Sequence, residues 1–397
     1  MYNEKYNLYR GHFKKTKNSY EKLKMTKNQA EIIVSELFAL AGITINGNQP
    51  YDIEVHNDAL FTRLLKDQAL GLGESYLDGW WNCEALDQFI DKILRAKLDE
   101  KVKGNLKLQW HGLRSKFFNL QKGSRSYQVA HQHYDIGNDL FTAMLDKRLN
   151  YSCAYWKKAK NLDEAQEYKL ELICKKIGLE PGMTVLDLGC GWGSFAKYAA
   201  EKYNVHVTGI NISRKQIELG RELCKGLPVE LKLQDYRDII GKYDRVLSIG
   251  FMEHVGHKNY RTYMEVVNST LKDKGIAFLH TIGDNISTTT LNAWTHKYIF
   301  PNSMLPSISQ IAKSTEGLFV IEDWHNFGPD YDKTLMAWYQ NFNSAWPELN
   351  DKYGDRFYRM WRFYLLSSAG GFRSRSQQLW QIVMTKTGKE QPNCRIN

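Results

Sequence analysis

Three glycines at alternate positions, Gly189, Gly191 and Gly193, mark the stretch of this sequence that is best suited to bind a reactive ligand. A short apolar run precedes them and good helix formers follow, which predicts a strand, a tight loop and a helix. Glycine lets the backbone approach a ligand closely, and the first turn of a helix offers unpaired N–H groups. The pattern is G-x-G-x-G, whereas loops that bind a dinucleotide pyrophosphate carry G-x-G-x-x-G.

Asp187 helps to choose the ligand, because it stands two residues before the first glycine. A carboxylate there would repel a pyrophosphate but would attract the cationic amino-acid end of S-adenosylmethionine. The stretch therefore predicts the cofactor loop of an S-adenosylmethionine-dependent methyltransferase. A glycine-rich turn that binds nothing is the alternative, and it is disfavoured because three glycines make the start of a helix less stable.

Strands and helices alternate around this loop, which predicts a parallel, doubly wound sheet. After the strand of the glycine loop, further strands are expected at 205–210, 229–233, 244–249 and 276–280. Apolar runs at 318–323 and 379–384 can add a closing antiparallel pair. The predicted fold class is α/β, with a Rossmann-like methyltransferase sheet in a catalytic domain that covers residues 131–397.

Ligands of such sheets lie beyond the carboxyl ends of the strands, so the residues after each strand are candidates for binding. An acid that binds the ribose is expected after the second strand, but Asn211 stands there, with Gln216 nearby. Amides accept hydrogen bonds from ribose hydroxyls more weakly than a carboxylate does. After the third strand, Asp235 and Tyr236 are candidates for the amino group and the ring face of the adenine.

Glu253 and His280 stand at the ends of the fourth and fifth strands, where they would face the transferable methyl group. Each could be structural alone, but together at adjacent strand ends they indicate a site. A metal site is disfavoured, because neither E-H-x-x-H at 253–257 nor the pair His131 and His133 matches the helical patterns of zinc enzymes. Methylation of a DNA base is also disfavoured, since no N-P-P-Y-like tetrapeptide follows the fourth strand.

Composition and charge narrow the class of protein further. With 397 residues the chain is long for one core, so two domains are expected. A net charge of +10 favours an anionic partner, either nucleic acid or a phospholipid surface. Neither a long apolar run nor a signal-peptide core is present. Six cysteines without a C-x-x-C pair favour reduced thiols in a cytoplasm over zinc ribbons.

The sequence before the catalytic domain divides into three parts. Residues 1–25 are polar and basic and predict a flexible, solvated arm. Residues 26–100 predict a small, mostly helical N-terminal domain that could dock on lipid. Its aromatic cluster at 71–81 is either a packed corner or a lipid-facing surface, and the sequence favours the corner. Residues 101–130 predict a basic aromatic linker, and its alternating cations and rings suit a membrane interface. A nucleic-acid groove or an ordinary solvated face could have the same composition.

Local patterns predict the elements of the N-terminal domain. Ile33, Leu37 and Leu40 share one helical face and should be buried. Alternating apolar residues on both sides of Asn46-Gly47 predict a small hairpin. Two more amphipathic helices follow.

Beyond these separate patterns, the chain resembles the bacterial cyclopropane fatty acid synthases, also called cyclopropane-fatty-acyl-phospholipid synthases. The resemblance extends from about residue 28 to residue 385. It is carried by motifs at 71–81 (GLGESYLDGWW), 133–138 (HYDIGN), 151–156 (YSCAYW), 186–193 (LDLGCGWG), 253–256 (EHVG), 297–302 (KYIFPN), 323–328 (DWHNFG) and 331–332 (YD). This set is far more specific than the glycine loop alone.

The resemblance implies methylene transfer from S-adenosylmethionine to a cis double bond in an acyl chain of a membrane phospholipid. It selects a lipid partner over nucleic acid, and it implies a homodimer that lies in the cytoplasm, peripherally on the inner face of the membrane. It adds Tyr151 and Ser152 to the cofactor-binding candidates. It also implies bound bicarbonate, whose binding pattern in the family maps onto Cys153, Glu253, His280, Ile282 and Tyr331.

One departure from the family stands at Ser368, where members often carry a cysteine. A serine cannot replace a thiolate nucleophile at neutral pH without a base, so we expect no covalent cysteine step. Attack by an alkene on the sulfonium methyl would leave a carbocation, which aromatic faces can stabilise. The candidates are Tyr298, Phe300, Trp338 and Tyr339, and any of them could equally be plain core.

The predicted fold and cofactor loop are also compatible with other functions. A related methyltransferase could make a methyl-branched lipid, or could methylate a sterol or a small molecule. A lipid-binding or cofactor-sensing protein without turnover is the non-enzymatic alternative.

Overall fold

The computed structural model describes residues 27–98 and 137–396. The predicted basic arm, the basic aromatic linker and the pair His131 and His133 lie outside the described residues.

The strands of the described residues are short in the N-terminal part and longer in the catalytic part. In chain order they are β1 (Glu54–Val55), β2 (Trp81–Asn82), β3 (Thr184–Leu188), β4 (His206–Asn211), β5 (Val229–Leu233), β6 (Tyr243–Ile249), β7 (Leu271–Asp284), β8 (Val320–Asn326) and β9 (Gln377–Thr385).

The helices precede, separate and follow these strands. In chain order they are α1 (Lys27–Ala39), α2 (Ala59–Leu77), α3 (Leu86–Arg95), α4 (Asn138–Met144), α5 (Leu162–Lys176), α6 (Ser194–Tyr203), α7 (Arg214–Leu223), α8 (Met252–Val255), α9 (Tyr260–Thr270), α10 (Ala293–Tyr298), α11 (Ile308–Thr315) and α12 (Pro329–Arg373). The long α12 is kinked at Gly354, where φ is 73°.

Seven strands form the main sheet, in the order β5-β4-β3-β6-β7-β9-β8. The strands β3 to β7 run parallel to their neighbours among them, whereas β9 runs antiparallel to both β7 and β8. The first strand of this sheet in sequence is β3, which lies in the middle. The next two strands, β4 and β5, are added on one side of β3, and β6 to β9 are added on the other side. This change of direction places the ligand crevice at the carboxyl ends of β3, β4 and β6. The predicted doubly wound α/β sheet with a closing antiparallel pair is confirmed.

The first helix buries a different face from the one predicted. Ala30, Val34 and Phe38 are buried at a spacing of four residues, and Phe38 packs edge-on against a ring of α3 with centroids 5.6 Å apart. Ile33 and Leu40 are 38% and 59% exposed. Both faces carry apolar side chains at helical spacing, so periodicity alone could not choose between them.

The hairpin predicted about Asn46-Gly47 is also wrong. The loop before β1 is compact instead, because the carboxylate of Asp52 accepts hydrogen bonds from two backbone N–H groups at 2.7 and 2.9 Å. The two residues of β1 pair with residues 81–82, which form β2. A local turn signal was therefore overridden by a side-chain acceptor and a more distant partner strand.

The aromatic cluster at 71–81 forms a packed corner around Trp81, as the sequence favours. Trp81 is fully buried, and its indole N–H donates to the Ser75 hydroxyl at 3.0 Å. On the preceding helix, a Cβ at Gly73 would lie 2.2 Å from Trp294 of α10, so only a glycine allows this close approach. The N-terminal elements thus pack directly on the catalytic part.

Among the described residues, no helix combines the length and the apolar character that crossing a membrane requires.

Candidate active site

The glycine loop joins β3 to α6, and its three glycines have left-handed backbones. Their φ angles are 81°, 57° and 79° at Gly189, Gly191 and Gly193. A Cβ at Gly189 would lie 2.5 Å from the ring of Phe251, whereas one at Gly191 would meet nothing within 4 Å. A left-handed backbone is strained for residues that carry a Cβ, so the turn favours glycine. At Gly191 the backbone faces open space.

One cavity lies beside this loop, at the carboxyl ends of the central strands. Gly193 does not line it, because the glycine lies behind the loop, where a Cβ would be 3.1 Å from Leu231 and Cys224. The other cofactor-binding candidates all line it: Tyr151, Ser152, Asp187, Gly189, Gly191, Asn211, Gln216, Asp235 and Tyr236.

Asp187 lines this cavity and is only 2% exposed. Its Oδ1 atom has no hydrogen-bond partner in the part of the chain that the structure describes. Burial raises the pKa of this carboxyl to about 7, although Lys169 acts in the opposite direction. A buried acceptor without a partner is costly, and the ammonium group of S-adenosylmethionine is the kind of donor that would satisfy it.

A buried cation that was not predicted from the sequence, Lys169, lines the same cavity. Its Nζ donates to Asn150 Oδ1 at 3.0 Å and to Ser152 Oγ at 2.9 Å. Asn150 Oδ1 also accepts a hydrogen bond from Ser194, the first residue of α6, at 2.8 Å. A signal was present in the sequence, since Gln166 and Lys169 lie three residues apart on the buried face of α5.

Two polar pairs lie at the other end of the cavity, where the ribose and the adenine were predicted. Asn211 Nδ2 donates to Gln216 Oε1 at 2.6 Å. The carboxylate of Asp235 accepts two hydrogen bonds from Arg237 at 2.8 and 2.6 Å. Burial alone would raise the pKa of Asp235, but these bonds outweigh it and lower the pKa. An adenine amino group at this place would therefore meet a carboxylate that already holds an arginine.

Glu253 lies on α8, just after β6, and His280 lies within β7. The expected strand end at residue 280 is wrong, because β7 continues to Asp284. Neither side chain lines the cavity, but their neighbours His254 and Ile249 do.

Glu253 Oε1 accepts a hydrogen bond from the N–H of Ile282 at 2.6 Å. His280 Nδ1 lies 3.4 Å from Gln381 Nε2. The remaining polar atom of each side chain, Glu253 Oε2 and His280 Nε2, is buried without a partner among the described residues. The Ile282 N–H, expected to help hold bicarbonate, fixes the carboxylate instead.

Burial sets the protonation of both groups. It raises the pKa of Glu253 to about 7, although the hydrogen bond from Ile282 acts against this shift. It lowers the pKa of His280 well below its ordinary value, and two nearby lysines act in the same direction. His280 is therefore neutral at pH 7, whereas Glu253 exchanges its proton close to that pH. A group that titrates near the working pH is suited to general acid–base catalysis.

The segment that carries Cys153 packs against the start of α12, which carries Tyr331, and neither residue lines the cofactor cavity. Cys153 is completely buried, and burial raises the pKa of its thiol well above the ordinary value, so the sulfur is not a thiolate. The N–H of Ala154 donates to Thr334 Oγ1 at 3.1 Å. This bond ties the segment to the first turns of α12, which carry Tyr331, whose ring stacks on Phe372 with centroids 4.5 Å apart.

Phe327 lies two residues before α12 and packs beside His280. Its ring centroid lies 6.1 Å from that of His280. Its N–H donates to the carbonyl of Leu379, which pairs with Ile282 in the sheet.

The five residues of the implied bicarbonate pattern come from four parts of the chain, and none of them lines the cofactor cavity itself. Glu253 and His280 define a buried region next to the cavity, because their neighbours His254 and Ile249 line it.

The four aromatic candidates for stabilising a carbocation separate into two sets. Trp338 is fully buried, with its ring centroid 5.2 and 5.9 Å from those of two site tyrosines. Phe300 lies 5.8 Å from a histidine that lines the cavity. The hydroxyls of Tyr298 and Tyr339 bond to charged side chains, and neither residue lines the cavity. Trp338 and Phe300 do not line the cavity either, but their rings pack beside Tyr151 and His254, which do, so these two are the better placed.

Within residues 27–98 and 137–396, no three His, Cys, Asp or Glu side chains come together as metal ligands would. His254, from the pattern weighed as a metal site, lines the cofactor cavity, and its Nδ1 lies 2.9 Å from Ser303 Oγ. Ser368 lies on α12, half-buried and outside the cavity lining.

Replacing Glu253 by glutamine should make the stability of the fold less dependent on pH. The folded-state pKa is about 7 against an ordinary 4.5, so the unfavourable burial of charge grows as pH rises through this window. The variant cannot ionise, and its free energy of unfolding relative to the parent should increase by about 2–3 kcal/mol between about pH 5 and pH 8. Denaturant titrations at both pH values test this, and an unchanged difference would contradict it.

Comparisons with known proteins identify the family of the chain. The family described as mycolic acid cyclopropane synthetase matches residues 121–382. The cyclopropane-fatty-acyl-phospholipid synthase of Escherichia coli K12 is 52% identical over 354 residues, which is 89% of this chain and 93% of that protein. The tuberculostearic acid methyltransferase UfaA1 of Mycobacterium tuberculosis is 31% identical, over 83% of this chain and 82% of that protein.

A solved structure of the mycolic acid cyclopropane synthase CmaA1, complexed with SAH and CTAB, superposes with a TM-score of 0.62. It is 29% identical, and the match covers 66% of this chain and 98% of that one. The family match alone spans well over half of the sequence. The chain therefore belongs to the cyclopropane synthetase family of S-adenosylmethionine-dependent methyltransferases.

Proposed function

We propose that this enzyme transfers a methylene group from S-adenosylmethionine to the cis double bond of an unsaturated acyl chain in a membrane phospholipid, and so forms a cyclopropane ring. The observation that carries the proposal is the 52% identity to the E. coli synthase over nearly the whole of both chains. The cofactor cavity and the buried region beside it support the same chemistry.

The reaction places three demands on the protein. An alkene is a poor nucleophile, so the sulfonium methyl must be held in line with it in a site that excludes water. Attack leaves a carbocation, which the rings of Trp338 and Phe300 can stabilise without being alkylated. The transferred methyl then loses a proton as the ring closes, so the overall products are S-adenosylhomocysteine, the cyclopropane lipid and one proton.

The residues of the buried region fit bicarbonate. Glu253 Oε2 and His280 Nε2 are two buried polar atoms without partners among the described residues. If Gln381 Nε2 donates to His280 Nδ1, the neutral imidazole carries its proton on Nε2 and can donate to an anion. A protonated Glu253 can donate as well. When bound, bicarbonate supplies the base that accepts the proton of the transferred methyl group.

The other residues of the implied pattern have supporting parts in this proposal. Tyr331 contributes a side chain from α12, and Cys153 contributes its backbone, because its buried neutral thiol offers no charge. Ile282 acts through Glu253, whose carboxylate it holds in place.

Incubation of the protein with S-adenosylmethionine and unsaturated phospholipid vesicles tests the function. We expect a cyclopropane acyl product, seen by proton NMR of the ring hydrogens, and no product from saturated vesicles. NMR is needed because a methylated alkene has the same added mass. Absence of ring hydrogens from every unsaturated lipid tested would overturn the proposal.

A methyl-branched lipid is the second candidate product, and the similarity to the tuberculostearic acid methyltransferase favours it over a sterol or a small molecule. The same NMR experiment separates the two products. Cofactor binding without turnover would point to the non-enzymatic alternative.

Access to a bilayer lipid requires docking on the membrane surface. We propose that the N-terminal helical domain and the basic aromatic linker form the docking surface. We also propose that the protein docks on the inner face of the membrane and that it acts as a homodimer. Binding to anionic vesicles should weaken severalfold as salt rises from about 0.05 to about 0.5 M, because screening weakens contacts between lysines and lipid phosphates. Co-sedimentation tests this, and binding that ignores salt would contradict it.

A further inference from the structure

Lys169 is a buried lysine on α5 for which the chemistry proposed above has no use. It is fully buried and lines the cofactor cavity. An ammonium group carries three donors. Within the described residues it meets two acceptors, Asn150 and Ser152, and both are neutral. Burial lowers the pKa of Lys169 to about 8, and the nearby carboxyls of Asp146 and Asp187 act in the opposite direction without forming an ion pair with its Nζ among the described residues. A buried cation whose direct partners are neutral is unfavourable, so its presence in a binding cavity calls for an explanation.

Asp187 has the complementary property on the same cavity. Its Oδ1 lacks a partner among the described residues, and its buried carboxyl forms no ion pair with Lys169 there. The cavity therefore holds one acceptor and one donor that influence each other's pKa but do not form a direct hydrogen bond. The amino-acid end of S-adenosylmethionine carries both an ammonium and a carboxylate, and it matches this pair in charge.

We propose that Lys169 binds the carboxylate of the cofactor, while Asp187 receives its ammonium group. This assignment rests on the proposed use of S-adenosylmethionine, and it identifies the residue that recognises the carboxylate of its amino-acid end. Ser194 and the first turn of α6 complete the surroundings, since Ser194 shares the acceptor Asn150 with Lys169. A charge-assisted hydrogen bond of this kind contributes about 10- to 100-fold in affinity.

A purely structural role is the competing explanation. Lys169 and Gln166 both hold the segment 150–152, because Gln166 donates to the carbonyl of Ser152 at 2.9 Å. A lysine that only shaped this segment would affect the affinity of any ligand that reaches it. It would not respond specifically to the presence of a carboxylate on the ligand.

The test compares two ligands that differ by that group alone. Binding of S-adenosylhomocysteine and of its decarboxylated analogue is measured by calorimetry on the full chain. The parent should prefer the carboxylate-bearing ligand by about tenfold or more. In Lys169→Met the preference should fall below about threefold. Lys169→Gln, which keeps one hydrogen bond but no charge, should behave in the same way if the methionine variant does not fold.

Lys176→Met is the matched control. Lys176 is also buried on α5, but its Nζ donates to Asp323 at 2.8 Å and it does not line the cavity. This variant should keep the preference of the parent. A parent that binds both ligands equally, or a Lys169 variant that keeps the full preference, overturns the assignment. Failure of the parent to bind S-adenosylhomocysteine at all would instead count against the proposed function.

Discussion

Replacing Glu253 by glutamine should lower the turnover number by about 100-fold or more, because the group that positions the base is lost. The amide keeps an oxygen that can accept from the Ile282 N–H, so the local backbone should stay in place. The variant should also lose any response to added bicarbonate. Turnover with unsaturated vesicles, measured in degassed buffer with and without bicarbonate, gives both readings.

Glu322→Gln provides the matched control for this experiment. Glu322 is a buried glutamate on β8 that accepts a hydrogen bond from Thr385 at 2.6 Å, and it does not line the cofactor cavity. Its replacement should leave turnover within about twofold of the parent, since surroundings away from the chemistry mainly affect stability. A Glu253 variant that turns over fully without bicarbonate would show that no base acts through this carboxylate.

The parts of the fold that sequence could predict depend on local patterns. The glycines with positive φ at 189, 191 and 193 and the alternation of strands and helices are such patterns. Once the parallel sheet is known, its topology brings the residues after the strands to one edge. That is why Asp187, Asn211 and Asp235 could be expected around one cavity although they are distant in sequence.

The parts that sequence could not predict depend on tertiary partners. Either face of α1 could have packed inward, and the α3 ring that contacts Phe38 decided the choice. The spacing of Gln166 and Lys169 puts both on one face of α5, but only the structure shows that the segment 150–152 lies over that face and binds the lysine. The hydrogen bond from Ile282 of β7 to Glu253 of α8 joins residues 29 positions apart, and no spacing pattern predicts it. Such contacts become visible only with the whole structure.

The two buried carboxyls, Asp187 and Glu253, share one physical property. Burial raises the pKa of each to about 7, and each has one oxygen without a partner in the described chain. A fold optimised for stability alone would replace them by neutral groups, because buried charge is costly. One lines the cofactor cavity and the other directly precedes a residue that lines it, and their presence is best explained by ligands that would supply the missing hydrogen bonds.

Asp187→Asn should weaken the binding of S-adenosylhomocysteine by about 10- to 100-fold, because the ligand ammonium loses its charged acceptor. The affinity for 5′-methylthioadenosine, which lacks the amino-acid end, should stay within about twofold. Asp235→Asn should show a different pattern. It should weaken the binding of both ligands to a similar extent, since Asp235 lies where the adenine is expected. Calorimetry with both ligands on both variants separates the two ends of the cavity.

The same Asp187 substitution should stabilise the protein without ligand. Its folded-state pKa is about 7 against an ordinary 3.8, so the cost of burying its charge grows as pH rises through this window, and asparagine avoids it. Denaturant titrations of the ligand-free protein at about pH 8 should therefore show a more stable variant that binds its ligand less well. Equal losses for both ligands, or a variant less stable than the parent at this pH, would show that Asp187 shapes the loop instead of receiving the ammonium group.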